Sequence, residues 1–188
     1  IFEISSSFPL VKEKNLSKEI ITPKISFRVN PSDNMKNHSS SSKKISANNI
    51  FEINRLAISD SYESGKSLTL GFDYRLDYEN KDEDYENEGG EKDKFLEFKL
   101  ATVLRDKIEN NIPESSTIDK KNSNLFGSIN NNLFENINIS YDFSIDNDLK
   151  TFESHGVTSE ISVNNFLTTF GYVEQRNELG SGHALSNK

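Results

Sequence analysis

The stretch "KSLTLGFDYRLDY", Lys66 to Tyr78, alternates almost without interruption. Leu68, Leu70, Phe72, Tyr74, Leu76 and Tyr78 share one parity; Ser67, Thr69, Gly71, Asp73, Arg75 and Asp77 share the other. A period of two is that of a strand with one apolar face. The opposite face carries full charges, which the back of an ordinary two-layer core would not tolerate unpaired.

Composition taken alone points the wrong way. The 188 residues are only 33% hydrophobic, with a mean hydropathy of -0.68 and a net charge of -8, values that lean toward disorder. The apolar residues nevertheless come in blocks of period two separated by Asn, Ser, Asp, Glu and Lys, the pattern of many strands joined by polar loops. There is no cysteine, so disulfides and thiolate metal sites are excluded. No run approaches the roughly 18 apolar residues of a spanning helix, whereas a membrane barrel strand needs only about 9 to 11 alternating ones. The acidic balance lacks the basic stripe of a nucleic-acid binder. The chain opens at Ile1 directly in strand-like sequence, without a signal segment, and is expected to be a piece of a longer protein.

Outward from the opening stretch, the same alternation repeats. Phe2, Ile4, Phe8 and Leu10 mark a first strand, and Ile21, Ile25, Phe27 and Val29 a second. Pro23 within it is expected near a strand start or a bulge, because proline removes a ladder hydrogen bond. The polar run 31–49 reads as a loop; "NNIFEINRLAISD" after it has enough apolar residues to fold back as a helical turn or a short strand. "FLEFKLATVLR" is the fourth strand and residues 122–131 the fifth. In "NINISYDFSID" Ile137, Ile139, Tyr141, Phe143 and Ile145 oppose Asn138, Ser140, Asp142 and Ser144. Strands over 151–164 and 166–174 complete about eight, followed by a tail over 177–188 read as disordered or as the start of a further loop.

Connections of unequal length at the two ends, with aromatic residues near strand ends (Phe8, Tyr78, Phe95, Tyr141, Tyr172), fit an antiparallel up-and-down transmembrane β-barrel segment. On that reading Leu68, Leu70, Phe72, Ile137, Ile139 and Tyr141 face lipid. Thr69, Asp73, Arg75, Asn138 and Asp142 face a wet lumen, where charge is ordinary. A charged substitution is then expected to be tolerated at Thr69 or Asn138. A β-sandwich with one solvated face also alternates and stays open as an alternative.

No motif for chemistry survives its own test. "ESGKS" at Glu63 to Ser67 resembles the end of a phosphate-binding loop, but Asp60 stands where the first glycine belongs and a strand follows instead of a helix. The acidic run Asp77 to Asp93 lacks the spaced ligands of a helix-loop-helix calcium site. His38, His155 and His183 are isolated, no serine sits in a nucleophile elbow, and no cofactor is implied. His155 could join a carboxylate and a serine only across strands.

Several segments in order resemble the C-terminal barrel of the LptD family, the outer-membrane lipopolysaccharide-assembly or organic-solvent-tolerance proteins. They are "FPLV", "ITPKISFRVNPSDN", "NNIFEINRLAISDSYESGKSLTLGFDYRL", "VLRDKIENNIPESSTIDKKNSNLFGSI" and "NISYDFSID", spread over about residues 8–175. The resemblance implies a slice of a large barrel, occupying about residues 1–176, that passes lipopolysaccharide from a periplasmic bridge to the outer leaflet without chemistry. It also implies an LptE-like lipoprotein plug, a preceding jellyroll domain, and a lateral gate lying outside this slice. Within "NNIFEINR" it implies that Phe51 and Arg55 fold the loop over the barrel mouth while Asn49 and Asn54 satisfy its backbone. The remaining alternative is a small closed eight-stranded outer-membrane barrel serving as adhesin, anchor or lipid-modifying enzyme.

Overall fold

The computed structural model describes residues 1–32, 43–58, 62–78, 94–164, 166–177 and 180–187, with only the backbone for Asn177 and residues 180–187. His38, Asp60, the acidic connection 79–93 and most of the serine-rich run lie outside the described residues. The strands are β1 (Phe2–Ser7), β2 (Leu10–Lys14), β3 (Ser17–Asn30), β4 (Gly65–Tyr78) and β5 (Lys94–Arg105), then β6 (Leu125–Phe134), β7 (Ile137–Ile145), β8 (Phe152–Val163), β9 (Phe166–Asn177) and β10 (Gly180–Asn187). They form one antiparallel sheet in chain order, β1 and β2 both lying on β3. Among the described residues the sheet does not close, since its path ends at β1 and at β10.

The chain is all-β, as the alternation requires, with one short 3-10 helix, Glu114–Ser116, among the described residues. Each strand is rich in Ile, Leu, Val, Phe and Tyr at alternate positions, residues that suit a pleated surface. The fixed parity carries across the sheet: Ile4 pairs with Phe27, Phe27 with Leu68, and Leu68 with Leu104. Further along, Ile21, Tyr74, Phe98, Ile129, Tyr141, Val157 and Tyr172 make a second continuous row. These rows form one face on which Phe2, Ile4, Ile25, Phe27, Phe152, Ile161 and Phe170 are exposed.

Three expectations are corrected. Residues 180–187 pair with β9 from Gly180↔Asn177 to Asn187↔Phe170, where the sequence suggested an unpaired tail. Backbone pairing there does not depend on the weak apolar pattern that the reading followed. Pro23 lies inside β3 with unbroken register, Thr22↔Asp73, Pro23↔Phe72, Lys24↔Gly71, and no bulge. Its carbonyl accepts from the Phe8 N–H at 3.1 Å, so its missing N–H faces the β1–β2 side and costs the β3–β4 ladder nothing. The strand expected over 2–12 is interrupted opposite Pro23 into β1 and β2. The segment after residue 45, for which the sequence leaves a helical turn and a short strand both open, takes the former: Ile50 N–H bonds to Ser46 O at 3.1 Å across one helical turn, and further tight turns follow, Ala57 N–H to Asn54 O at 3.0 Å.

The small apolar core lies on the other face of the sheet. Ile45, Ala47, Ile50, Leu56 and Ile58 from the β3–β4 connection meet Ile112 and Ile118 from the β5–β6 connection over Ala101, Val103 and Phe126. Two long connections therefore fold down onto the polar parity and bury part of it.

Candidate functional site

One cross-strand row organises the covered face: Glu3 on β1, Arg28 on β3, Ser67 on β4 and Arg105 on β5. Neighbouring strands stand about 4.8 Å apart, so the two arginines are roughly 10 Å apart with a small hydroxyl residue between them. Glu63, just before β4, fills that gap. Its carboxylate accepts from Arg28 Nη1 and from Ser67 Oγ, each at 3.2 Å, and from Arg105 Nη2. Arg55 descends from the turns above and grips the same carboxylate with both edges of its fork, Nε to Oε2 at 2.6 Å and Nη2 to Oε1. Arg55 Nη1 donates to Ile50 O at 3.1 Å and to Thr69 Oγ1 at 3.0 Å, tying turn, latch and strand together.

The backbone around Glu63 is held as firmly. Asn30 Nδ2 donates to Glu63 O at 3.0 Å, and Arg105 Nη1 to Ser64 O at 3.1 Å. Arg28 also pairs with Glu3, Nε to Oε2 at 2.9 Å. Three guanidiniums thus meet two carboxylates, leaving the cluster one positive charge in excess.

Burial by itself would push the Glu63 carboxyl up. The guanidiniums of Arg55, Arg105 and Arg28 overcome that and bring it from 4.5 to about 2, so it is ionised at any physiological pH. Burial also draws Arg55 down from its ordinary value, against the pull of Glu63. Arg55 is fully buried, and desolvation of this kind is offset only where every donor finds an acceptor, as here.

The four residues implied for the loop are found as follows. Asn49 Nδ2 donates to Lys44 O at 2.8 Å and its Oδ1 accepts from Ser46 N–H at 3.0 Å. Asn54 makes the same double use of its amide with Ile58, Nδ2 to O at 2.9 Å and Oδ1 from N–H at 3.2 Å. Phe51 packs onto Gly71, where a Cβ would collide with its ring, and Lys24 Nζ stands 5.7 Å from the ring centroid. Arg55 is the clamp.

Leu68, Leu70, Phe72, Ile137, Ile139 and Tyr141 all lie on the bare apolar face, in register with one another's rows. Thr69, Asp73, Arg75, Asn138 and Asp142 lie on the loop-covered face. Asp73 pairs with Lys24, and Arg75 Nε donates to Asp77 at 2.7 Å while its guanidinium lies 4.2 Å from the Phe95 ring centroid. Asn138 and Asp142 are exposed. Thr69 differs from them: it is buried and bonded to Arg55, so the expected tolerance of charge at this position is withdrawn.

Beside the clamp, a cavity of about 770 Å³ opens between the β5–β6 connection and the sheet, lined among others by Ile112, Asp119, Asn124, Phe126, Ser144 and Ser154. Burial pushes the Asp119 carboxyl up, and its Oδ1 has no hydrogen-bond partner among the described residues. On the bare face His155 does find a carboxylate, Glu174 at 3.4 Å across the β8–β9 ladder. Its other neighbours there are the rings of Tyr141, Phe152 and Tyr172, with no serine hydroxyl among the described partners. No group of three or more metal-ligating side chains occurs among the described residues. "ESGKS" enters β4 through Gly65 at φ +84°, and its glutamate serves the clamp.

Arg28, Arg105, Glu63 and Glu3 were not singled out from sequence. The only local hint was charge at the strand ends on the polar parity, since Glu63 lies 35 residues from Arg28 and 42 from Arg105.

Compared with known families, the model of the LptD family, LPS transport system D, matches residues 1–187. The comparison with curated proteins gave no match.

Proposed function

The chain belongs to the LptD family of outer-membrane lipopolysaccharide transport and assembly proteins, and from that membership we propose that it forms part of the translocon wall that inserts lipopolysaccharide into the outer leaflet. The observation that carries this reading is the asymmetry of the sheet. Among the described residues one face is apolar along most of its strands with no connection packed on it, while the other is mainly polar and, from β4 to β6, covered by the protein's own connections. A lipid-facing exterior and a wet, loop-plugged interior need that division.

In this arrangement Leu68, Leu70, Phe72, Ile137, Ile139 and Tyr141 meet lipid. Thr69, Asp73, Arg75, Asn138 and Asp142 line the interior. The connections 31–64 and 106–124 leave the same end of the sheet, and longer loops are characteristic of the extracellular side. The tight link between β2 and β3 and that between β6 and β7 then lie at the periplasm. Two open sheet edges cannot stand in hydrocarbon, so β1 and β10 pair with further strands. An LptE-like lipoprotein inside the barrel, a jellyroll domain and a periplasmic bridge supplying the lipid complete the working assembly.

The test is controlled depletion of the full-length protein in cells, with newly made lipopolysaccharide at the surface read by a reagent that does not cross the outer membrane. Surface arrival should fall while lipopolysaccharide accumulates behind the outer membrane. Undiminished surface arrival would overturn the reading.

A further inference from the structure

We propose that Arg28, Arg55 and Arg105 form a binding site for a phosphate group, and that Glu63 is the internal stand-in that fills it while the turns of residues 45–58 lie over the sheet. Guanidinium forks bind carboxylate and phosphate through the same paired N–H geometry. Here Nε and Nη2 of Arg55, Nη1 of Arg28 and Nη2 of Arg105 converge on the two oxygens of one carboxylate, with Ser67 Oγ as a fifth donor. That is more donor capacity than a carboxylate needs, and it suits a tetrahedral group with three terminal oxygens.

The charge balance points the same way. With Glu63 in place and Glu3 on Arg28, one positive charge is left over in a buried site. A phosphate monoester carries between about -1.5 and -2 at neutral pH, so in place of Glu63 it would leave the cluster close to neutral. The stand-in can also leave as one piece with its cover: Arg55 and Glu63 belong to the same β3–β4 connection, whereas Arg28 and Arg105 are fixed on strands. Lifting the connection would expose the two strand arginines on the interior wall, and a phosphate held by them could recruit Arg55 in turn. The assignment of the natural ligand to a phosphorylated glycolipid head group rests on the proposed function; free phosphate shares the same chemistry.

The experiment uses the full-length protein in detergent micelles. In E63A, and in E63Q as the variant that keeps the side-chain volume, inorganic phosphate should raise the unfolding temperature saturably, against chloride at matched ionic strength. Adding R55A to either should reduce that gain. Flat phosphate titrations in both single variants would overturn the site. In the protein with Glu63 intact, a thiol placed at the buried Ala47 by A47C should label several-fold faster with a phosphorylated glycolipid than with its phosphatase-treated form. Equal labelling with the two forms would overturn the exchange of Glu63 for phosphate. Acceleration by inorganic phosphate at the same concentration would keep the site and assign it to the free anion. None of these readouts requires export, so failure here leaves lipopolysaccharide transport standing, and failure of surface delivery leaves the anion site standing.

Discussion

Arg55 and Glu63, eight residues apart and both buried, share two hydrogen bonds between the guanidinium fork and the carboxylate, Nε to Oε2 at 2.6 Å and Nη2 to Oε1. The pair is the polar anchor of the β3–β4 connection, beside the apolar contacts of Ile45, Ile50, Leu56 and Ile58 with the sheet.

Removing Glu63 should leave buried guanidiniums uncompensated, at a cost of about 3–5 kcal/mol, whereas removing Arg55 leaves Glu63 paired with Arg28 and Arg105 but cuts the turns from the strand. R55A and E63A are expected to release residues 45–58, seen as faster amide hydrogen exchange there, with the strands protected as before. R55K should recover little, because an ammonium cannot reproduce the two-pronged contact.

Acid should open the connection only late. The folded pKa of Glu63 is depressed from 4.5 to about 2, so its stabilisation is fully present above 4.5 and is lost as pH falls toward 2. Protection of amides 45–58, taken relative to the intrinsic exchange rate at each pH, should be flat from pH 8 to 5 and fall between about 4.5 and 2. E63Q should remove that pH step.

The two faces should respond differently to charge. Arginine at Leu70 or Ile139, 38% and 36% exposed on the bare face, should cost about 2–4 kcal/mol in a folding titration of the whole barrel in lipid. Arginine at Asn138 should change little, while at Thr69 it should displace Arg55 and release the turns. Equal costs at Ile139 and Asn138 would reverse the assignment of inside and outside.

Gly71 leaves room for the Phe51 ring, and G71A should push that ring off the strand at a cost of about 1–3 kcal/mol. F51A in the same chain should restore part of the loss, a coupling that a double-mutant cycle measures directly.

Strand identity and facing were legible because they are local. In residues 66–78 and 137–145 every second side chain declares its face, and pairing only extends the alternation sideways. Asn49 and Asn54 were singled out through the family resemblance and not from a pattern in the residues; in the structure each amide bonds backbone three to five residues away. Pro23 and residues 180–187 were misread. Whether a missing N–H is felt depends on which neighbour it faces, and whether a polar segment pairs depends on the edge offered to it.

The amino-acid sequence by itself determined an antiparallel sheet with one apolar and one polar face, because a period of two is written residue by residue. Tertiary structure alone decided that Arg28, Arg105 and Glu63 meet, and that Thr69 is an anchor while Asn138 is free surface. Those contacts join three separate elements through strand register and a folded-back connection. Such long-range closure leaves no spacing in the chain from which it could be read.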